Sequence, residues 1–78
     1  MDKNQTIGEL IRRERKARKL TQLELGELSG TGINFISQLE RHKQTVRFDK
    51  LLEVLKVLGI EIQLKRGRAA ISTAKELN

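Results

Sequence analysis

The sequence contains no cysteine, a single histidine and no long apolar run. Without cysteines it cannot form disulfide bonds, and without a cluster of Cys and His it offers no ligands for a structural metal. No stretch approaches the ~20 apolar residues of a membrane span, and the N-terminus lacks the apolar core of a signal peptide. We therefore expect one small cytoplasmic domain without metal or cofactor. Because 78 residues bury only a thin core, we expect association with a second copy to add stability.

The same shortage of reactive side chains argues against an enzyme. The serines of the sequence have only His42 as a conceivable base. No spacing places an acid–base pair in a pocket that so short a chain could enclose. We therefore predict no catalytic residue and interpret His42 as a loop residue.

Basic residues are unevenly distributed along the chain. There are 16 Lys and Arg against 10 Asp and Glu, which gives a net charge of +6. Seven cations fall in the first twenty residues, none in the next twenty, and four between positions 41 and 50. An excess of basic over acidic residues in a compact domain favours a polyanionic partner, usually nucleic acid. The alternative is a solvated basic surface, but two basic blocks around a neutral-to-acidic centre predict phosphate contacts on either side of a base-reading element.

Two Thr-x-x-Glu motifs predict the starts of the first two helices. Thr6 with Glu9, and Thr21 with Glu24, have the spacing of capping boxes. We expect the first helix to extend to about residue 19 and the second to end near residue 29. Gly26 costs ~1 kcal/mol inside a helix relative to Ala, and a close approach of another helix would explain it.

Two further helices are predicted over residues 33–41 and 48–58, with Gly59 where a C-terminal capping glycine belongs. The chain is thus predicted to form an all-α domain of four helices over residues 6–59, preceded by a short tail over residues 1–5. The residues that we expect to face its core are Ile7, Leu10, Ile11, Ala17, Leu25, Leu28, Ile36, Leu39, Leu51, Leu52, Val54, Leu55 and Leu58.

After Gly59 the hydrophobic period changes from helical to alternating. Residues 60–65 alternate apolar and polar side chains, which is the pattern of a half-buried strand. No other strand is predicted, so the simplest partner for its backbone is the same strand of a second copy. We expect residues 60–66 to form this dimerisation strand and residues 67–78 a flexible tail; the alternative is a flexible extension that merely alternates. The predicted dimer-interface residues are Ile60, Ile62 and Leu64.

The centre of the chain has the pattern of a helix-turn-helix. A glycine-bearing turn joins two short helices, of which the second enters the DNA major groove in this geometry while the first braces it. If Ile36 and Leu39 face inward, the opposite side of the second helix carries amide, hydroxyl and aliphatic groups. Gln and Asn can bond to adenine, Ser to either base type, and an aliphatic group can contact the thymine methyl. The candidate base-reading residues are Gly32, Ile33, Asn34, Ser37 and Gln38.

Residues on both sides of the reading helix are candidates for contacts to the DNA backbone. Gln22 begins the preceding helix, whose free N–H groups can meet a phosphate. The residues that follow the reading helix and are expected to straddle the backbone are Arg41, His42, Lys43 and Thr45. The alternative for the polar candidates is a plain solvent-facing surface, which the flanking cations make less favourable.

These motifs together resemble a known family. Across residues 7–59 the chain resembles the phage-repressor/Cro-like helix-turn-helix family. The resemblance implies a small lambda-repressor-like domain that binds DNA as a transcriptional repressor. The motifs that carry it are Leu20-Thr-Gln-x-Glu-Leu-x-x-x-Ser-Gly30, Ile36-Ser-Gln-Leu-Glu-Arg41, Leu51-Leu52 and Leu58-Gly59.

Residues 31–41 and 45–55 also look like the HipB-type antitoxin branch, and the strand takes the place of the fifth helix of many family members. That resemblance implies a homodimer on a palindromic operator, which holds a HipA-like Ser/Thr kinase toxin inactive and autoregulates its operon. It also implies that Gln22 and the base-reading residues face DNA and that Lys43 contacts phosphate. His42 departs from the pattern, because the family commonly has Gly there. The alternatives left open are a stand-alone regulator and a protein-interaction module with the same fold.

Overall fold

The computed structural model describes residues 6–42, 45–64, 66 and 71–72. The described chain forms four helices followed by a short hairpin of two strands. The helices lie within two residues of the predicted bounds, which confirms the mostly helical, four-helix fold. The elements are α1 (Ile7–Ala17), α2 (Gln22–Ser29), α3 (Ile33–Glu40), α4 (Phe48–Leu58), β1 (Gln63–Leu64) and β2 (Ile71–Ser72).

Local side-chain and backbone signals set the ends of these helices. The Thr6 hydroxyl accepts the Glu9 amide N–H at 3.1 Å, and the Glu9 carboxylate accepts the Thr6 amide N–H at 2.9 Å. Thr21 and Glu24 form the same reciprocal pair at 3.0 and 2.8 Å, so both predicted capping boxes are confirmed. At the other end of α4, Gly59 adopts φ 72°, the left-handed conformation that terminates helices.

The core is a single apolar cluster to which all four helices contribute. Leu28 is 62 % exposed, and Ile7 and Ala17 are exposed, so the prediction that these three face the core is wrong. The buried stripe of α2 runs through Leu25 and Gly26, and Leu28 lies off that stripe because helical positions advance by ~100° per residue. The buried apolar residues are Ile11, Leu25, Ile36, Leu39, Leu51, Val54, Leu55 and Leu58.

Gly26 lies where α2 meets the start of α3. This close approach was predicted from the unfavourable free energy of a glycine inside a helix. A Cβ at this position would lie 2.5 Å from the Gly32 carbonyl carbon and 2.7 Å from the Ile33 nitrogen. The Gly26 carbonyl also accepts the amide N–H groups of Thr31 and Gly32 at 3.0 and 3.1 Å. The turn between α2 and α3 therefore packs so closely against α2 that only glycine, which has no side chain, leaves enough room for it.

The C-terminal segment differs from the prediction of one lone strand. β1 is shorter than predicted and pairs antiparallel with β2 of the same chain, Gln63 opposite Ser72 and Leu64 opposite Ile71. The second strand lies inside the predicted flexible tail and was missed because two residues carry no detectable alternation. The prediction of a single strand is thus wrong. Residues 1–5 and most of the predicted tail lie outside the described residues.

A buried ion pair joins α1 to α3. Arg15 is 8 % exposed and Glu40 is 9 % exposed. Arg15 Nε and Nη2 donate to the two Glu40 carboxylate oxygens at 2.7 and 3.0 Å, and Nη1 donates to the Leu20 carbonyl at 2.7 Å. The hydrogen bonds to Glu40 raise the pKa of the Arg15 guanidinium, against the opposing effect of burial. Arg15 was counted among the basic block of the sequence, but its charge is used inside the fold.

We expect Glu40→Ala to lower the free energy of unfolding by about 3–5 kcal/mol, because it leaves the Arg15 charge buried without its partner. The double variant Arg15→Met/Glu40→Leu should recover most of that loss, because apolar side chains can replace a buried pair. Urea titrations monitored by circular dichroism measure both. Glu53→Ala removes an exposed carboxylate that pairs with Lys56, and should change the free energy by less than about 1 kcal/mol. Similar losses for Glu40→Ala and Glu53→Ala would contradict this account.

Candidate nucleic-acid interface

The outer face of α3 carries the candidate base-reading side chains. Ile36 and Leu39 are 0 % and 2 % exposed, so the inward orientation from which the outer face was predicted is confirmed. On the opposite side Ile33, Asn34 and Gln38 are exposed, and Ser37 is half-buried. α3 thus presents two amides, an aliphatic group and a hydroxyl together on one short helix.

Gly32 begins this face as the N-terminal capping residue of α3. Its φ is 91°, a conformation that side-chain-bearing residues rarely adopt. A Cβ built here would meet nothing within 4 Å. The backbone conformation and not the available space therefore requires glycine, and the region in front of the α3 N-terminus is open to a ligand.

Gln22 is the first residue of α2, and its side chain reaches the C-terminal end of α3. Its Nε2 donates to Glu40 Oε1 at 3.2 Å. The side chain is half-buried. The buried pair of Arg15 and Glu40 therefore also orients the Gln22 amide, at a helix N-terminus whose first N–H groups favour anions.

The far end of α3 carries the remaining candidates. Arg41 is exposed at the C-terminal end of the helix, and Thr45 is exposed at the other side of the turn. His42 is exposed, with φ 65°, and its Nδ1 lies 2.7 Å from the Thr6 hydroxyl. Lys43 lies outside the described residues. Gln22, which donates to Glu40, and Arg41, the residue after Glu40, therefore both lie at the C-terminal end of α3.

Several cations counted as basic surface are neutralised within the fold. Arg18 donates to the Glu14 carboxylate at 2.8 Å and to the Leu58 carbonyl at the end of α4. The hydrogen bond from Arg18 holds the pKa of Glu14 below its usual range. In the second block, Arg47 pairs with Asp49 at 2.7 Å and lowers the pKa of that carboxyl through the hydrogen bond.

Other cations stay on the outside of α1. The side chains of Arg12, Lys16 and Lys19 are exposed, and α1 packs on α3 and α4 through its opposite side. The Lys50 ammonium lies 5.8 Å from the centroid of the Phe35 ring, within the range of a cation–π contact. Among the described residues, α1 and the C-terminal end of α3 thus both carry exposed cations.

Arg15 and Glu40 support this site but were not among the residues predicted for it. A signal was present, because Arg15 follows the buried Ile11 by four positions and Glu40 follows the buried Ile36 by four. Such positions share one helix face, so an Arg and a Glu each stand on an apolar stripe. Opposite charges on two apolar stripes indicate a buried pair, since single buried charges are costly.

Residues 6–42, 45–64, 66 and 71–72 contain no group of three or more His, Cys, Asp or Glu arranged to hold a metal ion. Within those residues, no helix has the length and apolar character needed to cross a membrane.

Comparisons with known proteins match this region. Residues 11–65 match the family described as helix-turn-helix. The HTH-type transcriptional regulator y4mF of Sinorhizobium fredii is 43 % identical over 58 residues, which are 74 % of this chain and 76 % of that protein. The immunity repressor protein of Bacillus phage phi105 is 33 % identical over 66 residues, 85 % of this chain but only 46 % of that protein.

The family match spans α2, the glycine turn, α3 and α4, together with α1 from Ile11 onward. The chain therefore belongs to the XRE-type helix-turn-helix family of DNA-binding proteins.

Proposed function

We propose that this protein is a transcriptional repressor that binds DNA in a sequence-specific manner. The observation that carries the proposal is the outer face of α3, where Asn34, Ser37 and Gln38 stand together on a helix braced by α2 and by a buried ion pair. The related proteins support it, since they bear the names of a transcriptional regulator and an immunity repressor, neither of which is an enzyme class. The protein acts in the cytoplasm and joins the nucleoid when bound to DNA.

In this proposal α3 lies in the major groove, which is about 12 Å wide and admits one helix. Asn34 and Gln38 bond to adenine edges, Ser37 bonds to a base edge, and Ile33 contacts a thymine methyl. Gly32 lets the backbone approach closely. Gln22 and the N-terminus of α2 hold one phosphate, and the residues that hold the backbone after the C-terminal end of α3 are Arg41, His42, Lys43 and Thr45. Phosphate contacts then supply salt-dependent affinity, and base contacts supply sequence choice.

We expect Gln38→Ala to weaken binding to the preferred duplex by about 1–3 kcal/mol and to relax the preference at one base pair. Fluorescence titration against a panel of single base-pair substitutions measures both effects. Lys43→Ala is the matched control: it should weaken all duplexes alike and lower the salt slope by about one. A loss for Gln38→Ala that is equal on every duplex would remove Gln38 from base reading.

We propose further that the protein binds a palindromic operator as a homodimer. Pairing with β2 occupies one edge of β1, and no other strand among the described residues covers its second edge. Ile60 and Ile62 are half-buried against the core, whereas Leu64 is 68 % exposed. A second copy that joins at this edge would cover Leu64, and its two-fold axis would place the half-sites about 10 bp apart.

Leu64→Asp tests this dimer better than a change at Ile62, because Ile62 also packs against the core. We expect Leu64→Asp to sediment as a monomer and to lose operator affinity, since it places a charge in an apolar contact. Leu28→Asp, at a leucine that is 62 % exposed on α2, should keep the dimer. A Leu64→Asp protein that remains dimeric rules out association through this face.

We propose, on the resemblance to the HipB-type branch, that this repressor is also the antitoxin of a HipA-like Ser/Thr kinase and that it autoregulates the operon. The alternative is a stand-alone regulator, which the names of the two related proteins favour. Both roles use the same DNA-binding face, so they differ in partner and not in DNA chemistry.

The antitoxin role predicts growth arrest when the neighbouring reading frame is expressed alone, and relief of the arrest by co-expression of this protein. Gln38→Ala should still relieve the arrest if neutralisation needs the protein contact and not operator binding. Colony counts after induction measure the effect. Arrest that this protein fails to relieve, or no arrest at all, would leave the stand-alone regulator.

A further inference from the structure

His42 adopts a backbone conformation that is unusual for a residue with a side chain. It follows the last residue of α3 by two positions and has φ 65°, in the left-handed region. Histidine tolerates this region better than most residues, but glycine populates it at no steric cost. Something other than backbone preference must therefore account for an imidazole at the end of the reading helix.

The imidazole reaches across to the start of α1. Its Nδ1 lies 2.7 Å from the Thr6 hydroxyl oxygen, and the two share a hydrogen bond across 36 positions of sequence. The same hydroxyl accepts the Glu9 amide N–H at 3.1 Å as the N-terminal cap of α1. A hydroxyl can serve both, because it has one proton and two lone pairs.

The backbones of the two helices meet beside this hydrogen bond. A Cβ at Gly8 would overlap the Leu39 carbonyl oxygen and would lie 3.2 Å from His42 Nδ1. The first turn of α1 therefore packs directly on the last turn of α3, and Gly8 leaves the room in which the imidazole reaches Thr6.

We infer that the contact between Thr6 and His42, here named the clasp, positions the C-terminal end of the reading helix, with Arg41, for the DNA backbone. His42 is a positioning residue in this role: through Thr6 it holds the end of α3, where Arg41 is exposed. The inference rests on the proposed function. A helix end that is already held in place in the free protein loses less conformational entropy on binding, so the clasp increases affinity by pre-organisation.

The stability of the fold does not depend on the clasp. Arg15 and Glu40 already join α1 to α3, and Ile11 and Leu39 are fully or almost fully buried in the shared core. Replacement of His42 by glycine loses one hydrogen bond but also relieves the left-handed conformation. The two effects oppose each other in the free energy of folding, whereas in DNA binding the loss of the contact that holds the end of α3 has no such compensation.

The test is a double-mutant cycle on DNA binding. The probe is a duplex that the wild-type protein enriches from random-sequence DNA, with a shuffled duplex as the reference for non-specific binding. The cycle compares the wild type, Thr6→Val, His42→Gly and the double variant by dissociation constant and by thermal midpoint. A control cycle combines Thr21→Val with His42→Gly, because Thr21 caps α2 through the same two hydrogen bonds, whereas Thr6 makes the one to His42.

We expect Thr6→Val and His42→Gly each to weaken binding to the enriched duplex by about two- to tenfold, the range that one hydrogen bond is worth. The dissociation constant of the double variant should be no larger than that of the single variant with the larger dissociation constant. In the control cycle, the two fold-changes in dissociation constant should multiply. Thr6→Ser keeps the hydroxyl and should bind like the wild type. The thermal midpoint of His42→Gly should move little.

Other results separate the clasp from the proposed function. If Thr6→Val leaves affinity unchanged, or if its effect multiplies with that of His42→Gly, then His42 acts independently of Thr6 and the clasp is overturned while DNA binding stands. If the wild type enriches no duplex, the proposed function fails and the clasp fails with it.

Discussion

The arrangement of the DNA-binding unit depends on one buried ion pair. Arg15 uses three of its N–H groups on the Glu40 carboxylate and the Leu20 carbonyl, so α1, the turn before α2 and the end of α3 meet at a single guanidinium. Gln22 adds the first turn of α2 to the same carboxylate. Burial of two charges is costly unless their hydrogen bonds are satisfied, and these partners satisfy them only when all three helices are in place.

Two glycines allow the helices around the ion pair to pack closely. Gly26 lets the turn and the start of α3 lie against α2, and Gly8 lets the end of α3 lie against α1. Both contacts bring backbone against helix surface, so their separation cannot be adjusted by side-chain rotation. The helix α3 is thus held at its start by α2 and at its end by α1. The side chains of its outer face can therefore differ without a change in where the helix lies.

The division of charge follows from the same packing. Arg15 and Arg18 belong to the basic N-terminal block of the sequence, yet the first binds Glu40 and the second binds Glu14 and the α4 C-terminus. Arg12 and Lys16 of the same block stay outside, on the exposed side of α1. A net charge of +6 therefore describes attraction to a polyanion at long range, whereas the contacts themselves depend on fewer side chains than the composition indicates.

The sequence by itself determined the four helices, their caps and the close approach at Gly26, because these features depend on residues within a few positions of one another. It also predicted which side of α3 is exposed, since Ile36 and Leu39 define the buried side through their spacing. Only the tertiary structure decided that Leu28 is exposed, that Arg15 binds Glu40, that β1 pairs within its own chain and that His42 reaches Thr6. Each of these depends on groups brought together from distant positions, and the relative placement of helices, not the period of any one of them, sets which groups meet.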